Sequence, residues 1–390
     1  MRHQGPAAAV AADVLELDGE RLRFDHPLLA SAVYAEAPED RRRELHRQLA
    51  SVVDDPQERA RHLALGTPLP DAAVAASIDT AARAPAARGA HSVAAVLAER
   101  AHALTPASGV AAGAGRLVRA ADYHLRAGDP GRPRALLVRA VTLTPEGPLR
   151  ARAYHRLAVV EYLAEGLRSA EEDLVAAARE VGTDRALGAA IERDLAVTLM
   201  QGRSVTLARP HSRRALELRE GQSDEGLLAD TLVVAVMVEL LAGNGLRRDF
   251  LDRAAGLESS GPARHPGVFD RAFLHATVLK WADDFDAARS RFERLRSAAL
   301  AREEDGLLPG IDFQLGELEC WAGNLDTAAR YAREGLIAAE QCGLTAMLAL
   351  ALNLTALVPF DQAATRAYGQ IYAATVECGR KLRDRAPWIW

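Results

Sequence analysis

The chain has 390 residues, of which 49% are hydrophobic and 26% charged, with a formal net charge of -5. That hydrophobic content excludes a disordered protein, and the length suits an extended repeat array or two to three globular domains. The mildly acidic balance excludes a global nucleic-acid footprint.

The basic side is almost entirely arginine, since the only lysines are Lys280 and Lys381; with abundant alanine this points to a GC-rich genome more than to a function. Cys320, Cys342 and Cys378 form an odd set without a CxxC pair. They support neither a disulfide framework nor a zinc site, and a reducing cytoplasm is the expected location. The longest apolar stretches, Leu227 to Ala242 and Leu344 to Val358, are interrupted by Asp230 and Glu239 or stop at about 15 residues, short of the roughly 20 that span a bilayer. They are expected to be buried repeat helices, with no membrane contact. The segment from Met1 to Ala12 has Arg2 but no continuous apolar core of the kind a secretion signal needs.

In chain order, Val14 to Leu17 and Arg21 to Phe24 are short alternating runs around Asp18-Gly19, a hairpin signal. Pro27 then opens a small helix whose apolar face is Leu28, Leu29, Ala32 and Val33. After Ala37-Pro38 a second helix carries Leu45, Leu49, Val52 and Val53 on one stripe, with Arg41, Arg42, Arg43 and Arg47 largely opposite, and Asp54-Asp55-Pro56 ends it. A third helix runs from Pro56 to Leu65 and stops at Gly66-Thr67-Pro68.

Beyond Pro70 a phrase returns about every 40 residues: a large apolar residue, then Ala, then Gly or an acid. It stands at Leu163, Leu241, Trp281 and Trp321, with looser copies at Leu125 and Met200; successive steps are 38, 37, 41, 40 and 40 residues. These exceed the roughly 34 of a standard tetratricopeptide unit. Two helices stop at Leu104-Thr105-Pro106 and Leu143-Thr144-Pro145, where proline bars the preceding residue from the helical state. Helix pairs of this size cannot bury an apolar face alone, so the pattern predicts pairs stacked in series. The expected fold is all-α: residues 70–380 as a right-handed superhelix of tetratricopeptide-like helix pairs, preceded by a small winged-helix-like α+β segment over 1–66 and followed by a tail at 381–390. Trp281 and Trp321 hold equivalent places beside the turn and are expected to pack in the core. After Gly343 the pattern frays, with Val358-Pro359-Phe360-Asp361 in place of the glycine turn and an apolar end, Pro387-Trp388-Ile389-Trp390.

The run Leu22-Arg23-Phe24-Asp25-His26-Pro27-Leu28-Leu29-Ala30-Ser31-Ala32-Val33-Tyr34, followed by Arg41 to Ala50 and by Glu58-Arg59-Ala60-Arg61-His62-Leu63-Ala64, resembles the large ATP-binding LuxR-type transcriptional regulators of actinobacteria, the MalT-like group. In that family the corresponding region closes an ATPase module as a winged helix and leads into a superhelix of long tetratricopeptide-like repeats that senses inducers or partners. The resemblance implies a non-catalytic sensor and interaction scaffold in signal transduction, binding a protein partner or small effector in the repeat groove. The family's P-loop is missing, since no Gly-Lys pair occurs anywhere, and no helix-turn-helix with a basic recognition face follows Tyr372. The chain therefore corresponds to a portion of that architecture, entering at the winged helix, with no cofactor of its own.

Two candidate sites follow. His26 matches by position the histidine that related signalling ATPases set against nucleotide phosphates, a role that needs a P-loop ATPase domain in trans; the preferred alternative is a structural histidine capping the Pro27 helix. Arg41, Arg42, Arg43 and Arg47 could meet DNA phosphates from a winged helix, but Glu39, Asp40 and Glu44 interleave, so a solvated face is preferred and direct DNA binding is not expected. Glu171-Glu172-Asp173 and Asp283-Asp284 fall at helix starts, where acids are common, and no catalytic or metal-ligand constellation stands out.

Overall fold

A computed structural model describes residues 9–10, 12, 14–18, 21–129, 131–221, 224–257 and 271–357. Within them the chain is predominantly helical, with one two-stranded sheet. The expected fraying at Val358, together with Cys378, Lys381 and the tail 381–390, lies outside the described residues.

Strands β1 (Leu15–Asp18) and β2 (Arg21–Phe24) pair antiparallel, from Leu15 opposite Phe24 to Asp18 opposite Arg21. Helix α1 (Pro27–Glu36) follows directly, with proline in its first turn. Helix α2 (Glu39–Val52) starts with Glu39 and Asp40 near its positive end, and α3 (Pro56–Gly66) starts at Asp55, whose carboxylate accepts from the Glu58 amide at 2.8 Å. The predicted apolar faces of α1 and α2 exist but are not covered. No α1 residue is buried, and on α2 only His46 and Ala50 are. Leu28 and Val52 are each 71% exposed. Helix α3 is anchored instead: Ala60 joins Ala75, Ile78, Leu97 and Ala101 in a small core with the helices that follow.

Those helices are α4 (Ala72–Ala81), α5 (Arg83–Ala87), α6 (His91–Ala103), α7 (Val110–Arg126), α8 (Gly131–Leu143), α9 (Pro148–Ala164), α10 (Leu167–Glu180) and α11 (Arg185–Gly202). They continue as α12 (Val205–Arg219), α13 (Glu225–Leu241), α14 (Arg248–Gly256), α15 (Arg271–Trp281), α16 (Phe285–Ala301), α17 (Leu308–Trp321), α18 (Leu325–Cys342) and α19 (Thr345–Leu357). From α6 to α14, and again from α15 to α19, each packs on the next in sequence. Odd-numbered helices also touch one another, α7 with α9, α11 with α13, and so on to α19. The even-numbered helices bury alanine-rich stripes, Ala170, Leu174 and Ala177 on α10, Ala208, Ser212 and Ala215 on α12, and Ala288, Phe292 and Ala299 on α16. Small side chains there let helix axes approach closely, and one continuous core runs from Ala98 to Met347. Helix α13 is buried from Ala229 through Val238, which accounts for its apolar run from Leu232 to Val238.

The recurring phrase is a helix stop. Gly128, Gly243 and Gly323 take left-handed conformations (φ 77°, 79° and 81°), which glycine adopts without steric penalty, and Asp283 takes the same conformation (φ 61°) at the equivalent place. Two copies shift by one residue from the sequence alignment. Gly128 sets Arg126, not Leu125, beside Leu241, and Gly166 (φ 102°), not Glu165, makes the turn after α9. The tryptophans also differ: Trp281 packs against the core, whereas Trp321 is 50% exposed, with the Lys280 ammonium 4.8 Å from its ring centroid. Core packing therefore holds for the first and not for the second.

Distant parts of the chain meet. The turn between α16 and α17 rests on the region of α6 and α7: buried Glu304 lies 2.9 Å from Arg126 and 3.4 Å from His91. A Cβ placed on Gly306 would stand 3.4 Å from the Leu125 carbonyl, so the two backbones nearly touch. Helix α19 packs on α9 as well.

Candidate functional site

A cavity of about 860 Å³ opens where the N-terminal helices meet α6, with walls from β2, α1, α2, α3 and α6. Its size is that of a small-molecule site. Phe24, Val33, Leu45, Leu65, Val96 and Leu97 make most of its surface. Each comes from an apolar face that the short helices cannot cover by themselves.

Tyr34 and His46 line it and begin a polar relay that continues behind the wall to His62. Tyr34 Oη lies 2.9 Å from His46 Nε2, and His46 Nδ1 lies 3.0 Å from His62 Nδ1, with the two imidazoles stacked at 5.1 Å. A neutral His46 serves both contacts, one ring nitrogen accepting and the other donating. Burial pushes the His46 pKa down, and His62, Arg61 and Arg42 push it further the same way. Three guanidiniums line the cavity, from Arg42, Arg61 and Arg100, and no carboxylate does. Arg42 sits over the Tyr34 ring at 5.2 Å. Arg61 and Arg100 are exposed and make no hydrogen bond or ion pair among the described residues.

The sequence candidates lie around this cavity with different partners. His26 is the N-cap of α1, its Nδ1 accepting from the Leu28 amide at 3.2 Å, so the capping contact is present. On α2, Arg43 pairs with Glu39 and, at 3.4 Å, with Asp40, and Arg47 pairs with Glu44 at 3.0 Å. Arg41 is exposed, and only Arg42 reaches the cavity. His46, His62, Arg61 and Arg100 had no assigned role from sequence. Their signal was available only as polar residues set among apolar ones on three short helices, and nothing in their spacing announces that the three meet.

Elsewhere many charges are mutually engaged. Successive odd-numbered helices are tied by polar contacts: Arg156 Nε to Asp122 at 2.8 Å, His155 to Asp194 at 2.7 Å, and Arg193, held also by its neighbour Asp194 at 2.6 Å, to Asp230 at 3.4 Å. Lys280, fully buried, reaches Gln314 at 2.5 Å and Glu317, and burial lowers its pKa. Glu239 and Glu319 hold matching places. Each takes an arginine from the preceding helix, Arg209 at 3.3 Å or Arg289 at 2.5 Å, and each accepts from an asparagine in the following turn, Asn244 or Asn324. A second cavity of about 450 Å³ between α10, α11 and α12 is lined by Asp184, Arg185, Glu192 and Arg214, all already paired.

Glu171, Glu172 and Asp173, expected at a helix start, lie instead in the second turn of α10, which begins at Leu167. Glu171 pairs with Arg203 and Glu172 with Arg168, both at 3.1 Å. Asp173 is half-buried, and desolvation with help from the Glu161 charge raises its pKa to about 7. No group of three or more His, Cys, Asp or Glu able to hold a metal occurs among the described residues. No helix among them is long and apolar enough to cross a membrane. No protein-family model matches the chain, and no curated protein matches it.

Proposed function

We propose that the protein is a non-catalytic sensor and protein-interaction scaffold of the LuxR-type regulator kind, its helix pairs forming a tetratricopeptide-like superhelix and its first 66 residues a winged-helix-like docking unit. One observation carries this reading: the apolar faces of β1, β2, α1 and α2 stand uncovered, with Leu17 at 62%, Leu28 at 71%, Val33 at 54% and Val52 at 71% exposure. Scattered apolar residues are ordinary on a protein surface, but a contiguous set on successive elements marks a contact surface. In the resembled family the covering partner is a P-loop ATPase domain, here supplied in trans. Direct DNA binding through α2 is the less favoured alternative, because Arg43 and Arg47 are neutralised by acids of their own helix.

The test mixes the purified chain with a separately produced nucleotide-binding domain of that regulator class and reads complex formation by analytical ultracentrifugation. The expected result is a one-to-one complex that Leu28→Asp with Val52→Asp abolishes, with the melting temperature of the chain unchanged. Absence of a complex at tens of micromolar, with the chain monomeric, would remove the docking role. A duplex-binding assay with a steep salt dependence that Arg41→Gln and Arg42→Gln flatten would favour the DNA alternative.

A further inference from the structure

We infer that the junction cavity binds an amphipathic small anion, a molecule with an apolar body and a single acidic head. This deepens the sensor reading by naming a class of effector, and it places that effector at the junction of the N-terminal unit with the array and not in the groove of the helix pairs.

The inference rests on an imbalance of charge at an apolar site. Phe24, Val33, Leu45, Leu65, Val96 and Leu97 supply an apolar wall, exposed in part to solvent, around a space of about 860 Å³, so the favoured occupant has hydrocarbon to bury. Arg42, Arg61 and Arg100 line the same space with no carboxylate among the lining residues. Among the described residues many arginines are paired with acids, as Arg119 is with Asp79 and Arg150 with Glu180, while Arg61 and Arg100, like the exposed Arg83, Arg139 and Arg213, are not. What sets Arg61 and Arg100 apart is the apolar cavity that they line. A planar guanidinium binds a carboxylate or phosphate through two parallel hydrogen bonds, and such pairs strengthen where water is excluded. Tyr34 and His46 line the same space, and the Tyr34 hydroxyl, which is paired with His46 Nε2, keeps capacity for one further hydrogen bond. Burial and the neighbouring arginines disfavour a charge on His46, so positive charge at the cavity is concentrated on the guanidiniums.

An adjacent acidic protein surface offers the same charge, but a partly open cleft walled by five elements is concave, and this favours a small molecule. A carboxylate and a phosphate monoester share the recognised chemistry, and the experiment separates them.

Isothermal titration of the full chain with decanoate, decyl phosphate and decan-1-ol, all below their critical micelle concentrations, tests the inference. At least one anion is expected to bind saturably at one-to-one stoichiometry, and the alcohol at least tenfold more weakly. Arg61→Ala with Arg100→Ala, both at exposed positions, is expected to weaken the anion at least tenfold while leaving the ligand-free melting temperature unchanged. Val33→Trp, at a half-exposed position, is expected to block binding by filling the space. The inference is overturned by absence of saturable binding, by equal affinity for the alcohol, by undiminished binding in both variants, or by binding of polyglutamate in place of the small anions. Leu28 and Val52 do not line the cavity, and the titration uses no partner protein. Failure here therefore leaves the docking test standing, and failure there leaves this one standing.

Discussion

Asp173 and His275 pull the stability of the chain in opposite directions with pH. The folded protein holds the Asp173 proton up to about pH 7, because burial and the nearby Glu161 disfavour the carboxylate, whereas a solvated aspartate releases it near pH 4. Between those values the folded state binds more protons than the unfolded one, so raising the pH costs stability. His275 is lowered to about 4 by burial and by Arg291 and Arg271. Its contribution is complete above the ordinary value near 6.5 and is lost as pH falls through about 4. Asp173→Asn is predicted to leave the urea midpoint almost unchanged at pH 4 and to stabilise the protein at pH 8 by on the order of 1 kcal/mol after solvent screening. A variant equally stabilised at both values would show that the carboxylate is not the source. Neither residue could be singled out from sequence, since Asp173 stands in a run of three acids that reads as a helix start but falls in the second turn of α10, and His275 lacks any neighbouring ligand pattern.

Among the elements, the turns ending α7, α13, α15 and α17 form an internal control. Asp283 adopts a left-handed conformation in the place where Gly243 and Gly323 stand, and a Cβ on either glycine would meet nothing within 4 Å. Backbone strain is therefore the main difference between the positions. Asp283→Gly is predicted to raise stability by about 0.5–1 kcal/mol and Gly243→Ala to lower it by about 1 kcal/mol, read from thermal melts. The helices and their stops were legible because periodicity and glycine act locally: Leu-Thr-Pro, the repeated Ala-Gly-Asn and the Asp-Gly region each lie within a turn of the structure they specify. Local pattern also misled where the answer depended on neighbours. Leu28, Leu45 and Val52 form correct amphipathic stripes, but a stripe records only which face is apolar and not whether another element covers it. Trp321 repeats Trp281 in sequence and differs in exposure because what packs beside each turn differs. The junction cavity was illegible for the same reason, since it is assembled by four helices and a strand whose meeting depends on α3 being anchored to α4 and α6.

For the molecule as a whole, the contact of residues 302–307 with α6 and α7 was not anticipated by a reading of pairs stacked only on their neighbours. Glu304 is 4% exposed, and its pKa is lowered: burial opposes the charge, but His91 and Arg126 more than offset that. This carboxylate contributes stability above the ordinary glutamate value, and the contribution is lost as pH falls through its depressed pKa. Glu304→Ala leaves Arg126 and His91 facing a gap, and is predicted to loosen the contact while leaving the helix pairs intact. Small-angle scattering should show a larger radius of gyration with unchanged helical circular dichroism. An unaltered radius at neutral pH would mean that α19 on α9 is sufficient to hold the two regions together.

That meeting of early and late helices alters the mechanics of the array. In an open spring, a small tilt at each joint adds to the next, and the far end swings freely. Once two distant coils touch, the tilts must cancel around a circuit, so bending at one joint is compensated at the others and slow breathing is damped. Opening any one joint must then act against the whole circuit.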